Sequence, residues 1–339
     1  MTLGFVKDVR IVGSRVEAVV ELTTPACPVK EILREEAVAA ILSIPDVEEA
    51  DVEMTARVSE RKSKPDDLIP NVKRCIAIAS GKGGVGKSTV TVNLAVALAS
   101  EGASVGLLDA DVYGPSIPLM MGCAERPLSD GNKIVPIERH GVKMMSLGFL
   151  LEEDSAVMWR GPMVAGTVRQ LLEDVAWGDL DYLLVDLPPG TGDAPMSLAQ
   201  LAPLMGVVIV ATPQHVAANI AGKSVQLFRR LNTTILGVVE NMAGFACPSC
   251  GHVSQVFAGL TGRELAARHG VPFLGSVPLD PIVSAASDDG RPAVLAHPES
   301  APSKAFREIA GELARQASIL ALKGEEAVAT PSPKPASMP

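Results

Sequence analysis

Aromatic residues make up only 3% of the 339-residue chain, so its core must rest on Val, Leu, Ile, Ala and Met rather than on stacked rings. Cysteine is just as scarce. Cys27, Cys75, Cys123, Cys247 and Cys250 are an odd number spread over a long chain, which excludes a disulfide framework. No apolar run reaches the ~18 residues of a membrane-crossing helix. The longest candidate, Leu201–Ala211, contains a proline and a glycine. The opening MTLGFVKDVRIVG has no apolar signal-peptide core, so the expected location is cytoplasmic, without stable membrane association. Positive charge is in deficit, with 30 Lys and Arg against 39 Asp and Glu and a formal charge of −9, which argues against a nucleic-acid partner. The 30 glycines follow no triplet period, so collagen is excluded.

What is present is 47% hydrophobic and 20% charged, the balance of a folded chain, and the length suggests about two domains. Residues 1–55 read as a small α+β domain. Val9–Val12 and Val16–Leu22 form a hairpin around Gly13-Ser14, Pro28 opens a helix reaching about Ser43, and Val47–Met54 returns to the sheet. Residues 56–73, charged and holding two prolines, read as a linker. From 74 to 323 apolar runs alternate with helical stretches. The runs are Ile76–Ala79, Val105–Leu108, Tyr182–Val185, Val207–Ala211, Ile235–Val239 and Phe273–Val277. The clearest helices are Lys87–Ser100, His215–Leu231, Gly262–His269 and Ser303–Leu322. Runs without polar alternation suit strands buried on both faces, hence an α/β domain with a mostly parallel sheet flanked by helices. Residues 324–339, with four prolines, read as a disordered tail.

Two motifs carry chemistry. The first is Gly81-Lys82-Gly83-Gly84-Val85-Gly86-Lys87-Ser88-Thr89, a G-x-x-x-x-G-K-S phosphate loop between a strand and a helix. Its glycines let successive N–H groups face an anion, and the helix adds its positive N-terminal end. Lys87 is placed to reach the β- and γ-phosphates of ATP, and the Ser88 hydroxyl to join a Mg²⁺ shell. Later strands run into Asp109-Ala110-Asp111 and into Asp186-Leu187-Pro188-Pro189-Gly190-Thr191-Gly192-Asp193. Each aspartate alone could cap a turn; together, at the ends of separate strands, they are better explained by Mg–ATP. Asp193, in a Gly/Pro-rich segment, is a candidate γ-phosphate sensor.

The second motif is Cys247-Pro248-Ser249-Cys250, followed by His252. Two thiolates at this spacing hold one edge of a metal site and leave two positions unfilled, and the chain has no second C-x-x-C. Two copies across a homodimer axis would supply four thiolates, enough for a bridging [4Fe–4S] cluster or, equally, a Cys₄ zinc site. A thioredoxin-like redox pair is the competing reading, weakened because this pair follows a strand instead of opening a helix. His252 is a conceivable further ligand or a solvated loop residue, and Cys75 a buried strand residue.

The loop form GKGGVGKS resembles the deviant P-loop of the MinD, ParA and nitrogenase iron-protein class. That resemblance implies that Lys82 crosses to the nucleotide of a partner subunit and that ATP promotes a face-to-face homodimer; a solvated loop lysine is the plainer alternative. It further implies that Asp186 holds Mg²⁺ through water, that Asp111 orients the attacking water with Asp109 supporting its loop, and that Asn241 contacts adenine. The set SGKGGVGKST, LLDADVYGPSIP, LLVDLPPGTGD and VVENMAGFACPSCGH is similar to the Mrp/ApbC family of ATP-dependent iron–sulfur cluster carriers, over most of residues 74–322. The resemblance implies a slow ATPase, with Lys82, Lys87 and Asp111 catalytic, that delivers a labile cluster to apo iron–sulfur proteins alongside scaffold or maturation factors. The first domain, with LTTPACP, resembles stand-alone iron–sulfur maturation factors, and there Cys27 is either a hand-off thiol or a plain buried cysteine. A MinD/ParA-like positioning ATPase and a zinc-bridged ATP-dependent scaffold are the alternatives.

Overall fold

The computed structural model describes residues 4–61, 67–150, 161–246, 250 and 252–329. The chain opens with the strands β1 (Val6–Val12) and β2 (Arg15–Leu22), paired antiparallel with Val12 opposite Arg15, so that Gly13-Ser14 is a two-residue turn. Helix α1 (Lys30–Leu42) then crosses to β3 (Glu49–Ala56), which runs parallel to β2. Residues 57–61 and 67–71, in the stretch that charge and proline mark as a connection, are tied down. Val58 and Ile69 are buried, and the Arg61 guanidinium donates to the carbonyls of Val72 and Ile69 and to Asp67.

The second sheet is built from β4 (Val72–Ser80), β5 (Val105–Asp109), β6 (Ile137–Arg139), β7 (Val142–Ser146), β8 (Leu180–Asp186), β9 (Gly206–Ala211), β10 (Ile235–Ala246), β11 (Val253–Ser254) and β12 (Phe273–Leu279). Its parallel order is β12-β10-β9-β4-β8-β5-β7, with short antiparallel additions of β6 on β7 and β11 on the end of β10. The helices are α2 (Lys87–Ser100), α3 (Ile117–Met120), α4 (Gly161–Asp174), α5 (Asp193–Leu201), α6 (His215–Arg230), α7 (Gly262–His269), α8 (Pro281–Asp288), α9 (Ala293–Ala296) and α10 (Ala301–Ala329). Alternate residues of each strand feed the two faces. Ile76 and Ile78 pack with α2 and α10, whereas Cys75, Ala77 and Ala79 pack with the α4–α7 side. Burial from both sides is why these strands read as unbroken apolar runs. It also pushes the Cys75 thiol up to about 12, which suits a core residue and not a ligand.

Two features differ from the sequence expectation. Strands β6 and β7 and helices α4, α5 and α8 are additional to the elements expected from the sequence; Val142–Ser146 reads VKMMS, which has only one β-branched residue. Helix α10 also continues through Ala329, so residues 324–329 are helical and not part of an irregular tail. Its prolines begin only at Pro331, and Glu325-Glu326-Ala327 are good helix formers. Residues 330–339 lie outside the described residues.

One interlock joins the first sheet to the second. Arg74 on β4 is 1% exposed and has no carboxylate partner among the described residues. Its Nη1 donates to the Tyr182 hydroxyl (3.0 Å) and the Ser318 Oγ (3.0 Å), and its Nη2 to the Thr23 carbonyl (3.3 Å). The Tyr182 hydroxyl lies 2.9 Å from Thr24 Oγ1, and its ring lies under the guanidinium. A buried cation held only by neutral groups is sensitive to the loss of any one of them. Tyr182→Phe, which deletes only the hydroxyl, is expected to cost about 1–3 kcal/mol of stability, read as a lowered urea midpoint at unchanged slope.

Candidate functional site

Strand β4 lies at the middle of the parallel sheet, between β8 and β9, and the phosphate loop leaves its carboxyl end there. That is where an open α/β sheet forms its crevice. Gly84 and Gly86 hold φ of 75° and 78°, and Gly86 is the residue that starts α2. A side chain on Gly86 would also collide with the amide of Asn241. Only glycine meets both demands.

Behind the loop, the Lys87 Nζ donates to Asp186 Oδ2 at 2.6 Å and lies 3.4 Å from Asp111 Oδ2. The Ser88 hydroxyl donates to the same Asp186 oxygen at 2.5 Å, and Thr91 Oγ1 lies 2.7 Å from Asp186 Oδ1. Thr91 carries no motif signal. It reaches the site because it lies one helical turn after Lys87, on the same face of α2. Asp109 is fully buried at the end of β5, its strand partner being Asp186 on β8. Asp109 Oδ1 accepts the Asp111 N–H, while Oδ2 accepts the Ile117 N–H and the Ser146 hydroxyl (2.9 Å). It thereby fixes both ends of the loop that carries Asp111. Ser146, at the end of β7, is a second residue that sequence motifs do not reveal.

Electrostatically the site is short of cations. Burial and the charge of Asp186 push Asp109 up to about 7, against the pull of Ser146 and Lys87. Burial also raises Asp111, opposed chiefly by Lys87. Three carboxylates around one ammonium, with Ser88 beside them, form an all-oxygen donor set of the kind Mg²⁺ prefers.

Two adjoining cavities lie over these groups. One of about 170 Å³ is lined by Lys82, Gly83, Lys87, Ser88, Asp111 and Pro189, the other of about 260 Å³ by Asn241, Met242, Val277, Leu279, Val283 and Ser287. Gly86, Thr89 and Met120 line both. The cavity over the loop is the more polar of the two and the one beside it the more apolar, a division that suits phosphates and a base respectively. Asn241 closes the second cavity against the loop, donating from Nδ2 to the Val85 carbonyl at 2.9 Å. Lys82, half-buried, donates to Gln214 Oε1 at 2.8 Å.

Of the remaining sequence candidates, Asp193 is an exposed first residue of α5 and lines neither cavity. The Gly190–Gly192 segment instead directs it outward at a helix start, where a carboxylate complements the helix end. Cys250 and His252 are exposed in the hairpin between β10 and β11, and Cys247 lies outside the described residues. Cys27 is half-buried beside Glu101 and Arg307, at the far end of α2, about 20 Å from the phosphate loop by helix rise.

The buried carboxyl gives a pH test. Asp109 titrates above its ordinary value of 3.8 in the folded chain, so protonation favours folding. That contribution is complete below about pH 4 and is lost as pH rises through about 7. Ligand-free protein is expected to lose stability between about pH 5 and pH 8, and Asp109→Asn to flatten that fall; urea midpoints across the range are the check.

Comparison with known proteins agrees with this geometry. Residues 71–314 match the family model described as NUBPL iron-transfer P-loop NTPase, and residues 1–53 match that of the iron-sulfur cluster assembly protein family. A Synechocystis iron-sulfur cluster carrier protein is 46% identical over 327 residues, covering 94% of this chain and 93% of that protein. The iron-sulfur cluster carrier protein of Escherichia coli is 43% identical over 289 residues, 84% of this chain and 78% of that protein. A nucleotide-binding protein of Archaeoglobus fulgidus, solved in complex with ADP, superposes with a TM-score of 0.63 at 40% identity, covering 72% of this chain and 98% of that one. The cell division ATPase MinD of Pyrococcus furiosus gives a TM-score of 0.56 at 25% identity, covering 71% and 98%. With its motifs, its sheet order and these relatives in agreement, the chain belongs to the iron-transfer P-loop NTPase family.

Proposed function

We propose that this protein is an ATP-hydrolysing iron–sulfur cluster carrier that binds a [4Fe–4S] cluster between two copies of itself and passes it to apo iron–sulfur proteins. The observation that carries the reading is the course of β10. This one strand packs Asn241 against the phosphate loop, kinks at Met242 (φ 59°) and Gly244 (φ 133°), and ends at Ala246, the residue before Cys247. A change at the nucleotide therefore has a short covalent route to the cysteines. The names of the relatives support the cargo, and the ADP-bound relative supports the nucleotide.

In this reading Gly81 to Thr89 cradle the phosphates, Lys87 neutralises them, and Ser88 with Asp186 holds Mg²⁺, which supplies Lewis-acid charge at the γ-phosphate when bound. Thr91 fixes the Asp186 carboxylate. Asp111 orients the attacking water, with Asp109 and Ser146 fixing its loop. Asn241 meets the adenine, and Lys82 reaches the phosphates of the second copy. The large apolar side chains of Tyr113 (67% exposed) and Val216 (65% exposed) flank Asp111 and Gln214, the kind of surface a partner covers. Cys247 and Cys250 each supply half of a four-thiolate site, which leaves the cluster shallow and exchangeable. The assembly-protein match over residues 1–53 supports a first domain that deals with client or maturation factors.

Asp111→Ala is expected to lower ATP turnover by at least ~100-fold with nucleotide affinity retained, measured by phosphate release and calorimetry. Anaerobic reconstitution of the native protein is expected to give roughly two iron atoms per chain, four per dimer. Cys247→Ala and Cys250→Ala should each abolish the bound iron. Tetrahedral zinc in place of iron in the anaerobically purified protein would make it a zinc-bridged scaffold instead.

A further inference from the structure

Lys82 lines the cavity over the phosphate loop, and its bond to Gln214 is asymmetric in construction. Gln214 is the fixed member. It precedes the first turn of α6, its N–H donates to the Thr212 carbonyl at 2.7 Å, and its carbonyl accepts the Ala218 N–H at 2.9 Å. Its neighbours are wedged as well, because Gly259, in the segment after the cysteine hairpin, packs with room for no side chain between the Pro213 carbonyl and the His215 N–H. Further along, the α6 backbone at Ile220 and Ala221 abuts Gly81 of the phosphate loop, again leaving no room for a side chain. The Gln214 side chain does not cap its own helix, so the amide oxygen is free to face Lys82.

Lys82 is the movable member. It stands between Gly81 and Gly83 in a half-exposed loop, on a four-carbon stem, and forms no ion pair among the described residues. A neutral acceptor grips an ammonium more weakly than a carboxylate does. Gln214 therefore holds Lys82 firmly enough to keep it home and loosely enough to release it.

We infer that Gln214 is a latch that retains Lys82 in its own subunit and sets the threshold for nucleotide-dependent pairing of two chains. This inference rests on the proposed crossing of Lys82 to a second copy. Gln214 is a positioning residue; the amide competes with the partner's phosphates for one ammonium. Because the same turn of α6 abuts Gly259, release of Lys82 takes place directly beside the segment leading from the cysteine hairpin.

The test is the dimer dissociation constant, from sedimentation velocity with Mg²⁺ and a non-hydrolysable ATP analogue, for the full chain and its variants. Gln214→Leu removes the competing acceptor and is expected to tighten the dimer on the order of tenfold. Gln214→Glu converts the latch to an ion pair and is expected to loosen the dimer by a similar factor. Neither substitution should matter in a Lys82→Ala background, a dependence that a merely structural role at the start of α6 would not show. If the native chain pairs with the analogue while both variants pair equally well, or shift identically without Lys82, the latch is overturned and the crossing of Lys82 survives. A native chain that stays monomeric with the analogue overturns both.

Discussion

The Lys87–Asp186 pair is the contact on which the rest of the site depends. An ammonium and a carboxylate both withdrawn from water are costly unless every remaining lone pair and proton is satisfied. Here Ser88 and Thr91 satisfy the carboxylate from the same helix that carries the lysine. The pair can form only because β4 and β8 are adjacent and parallel, so that the loop after one strand and the aspartate ending the other meet. Addition of β5 beyond β8 brings Asp109 and Asp111 to the same lysine and leaves one cation among three carboxylates. Burial first, and the neighbouring Asp186 charge after it, raise Asp109 and Asp111, so that without further positive charge the site favours holding a proton. A divalent ion carried in with a nucleotide would relieve the same shortage.

The second constraint is the closeness along the chain of Asn241, on β10, to the C-x-x-C pair that follows this strand. Asn241 lies on β10, Cys247 follows that strand's last residue, Ala246, in the sequence, and β12 and β9 flank the strand on either side. The residues β10 offers the nucleotide are fixed by sheet pairing up to Asn241. Beyond that the register with β12 breaks and resumes at Phe245 opposite Leu279, while Phe245 and Ala246 also pair with β11. The part of β10 that carries Asn241 is thus held by neighbouring strands, and the cysteines follow only after the strand ends. For a carrier this is a suitable division, since binding the phosphates needs preorganisation and surrendering a cluster needs exposure.

Much of this was legible in the sequence because it is local. The phosphate loop, the strand-end carboxylates and the C-x-x-C are short patterns whose chemistry is set by spacing, and buried parallel strands announce themselves as unbroken apolar runs. What escaped is long-range. Ser146 becomes part of the site only through the β5–β7 pairing, and Gln214 only because α6 packs on the loop. Arg74 reads as an ordinary charge at a strand start, yet folding buries it with Tyr182, one of only two tyrosines in the chain. Asp193, which the motif marks as a γ-phosphate sensor, starts α5 and lines neither cavity described above. The helical extension to Ala329 was hidden by prolines that lie just beyond it.

The central claim is that two chains share one cluster. Native mass spectrometry of the cluster-loaded protein, kept anaerobic and supplied with Mg²⁺ and a non-hydrolysable ATP analogue, addresses it directly. The expected species is two chains carrying a single four-iron, four-sulfide unit. A single chain that keeps a whole cluster, or a pair of chains carrying two, would contradict it.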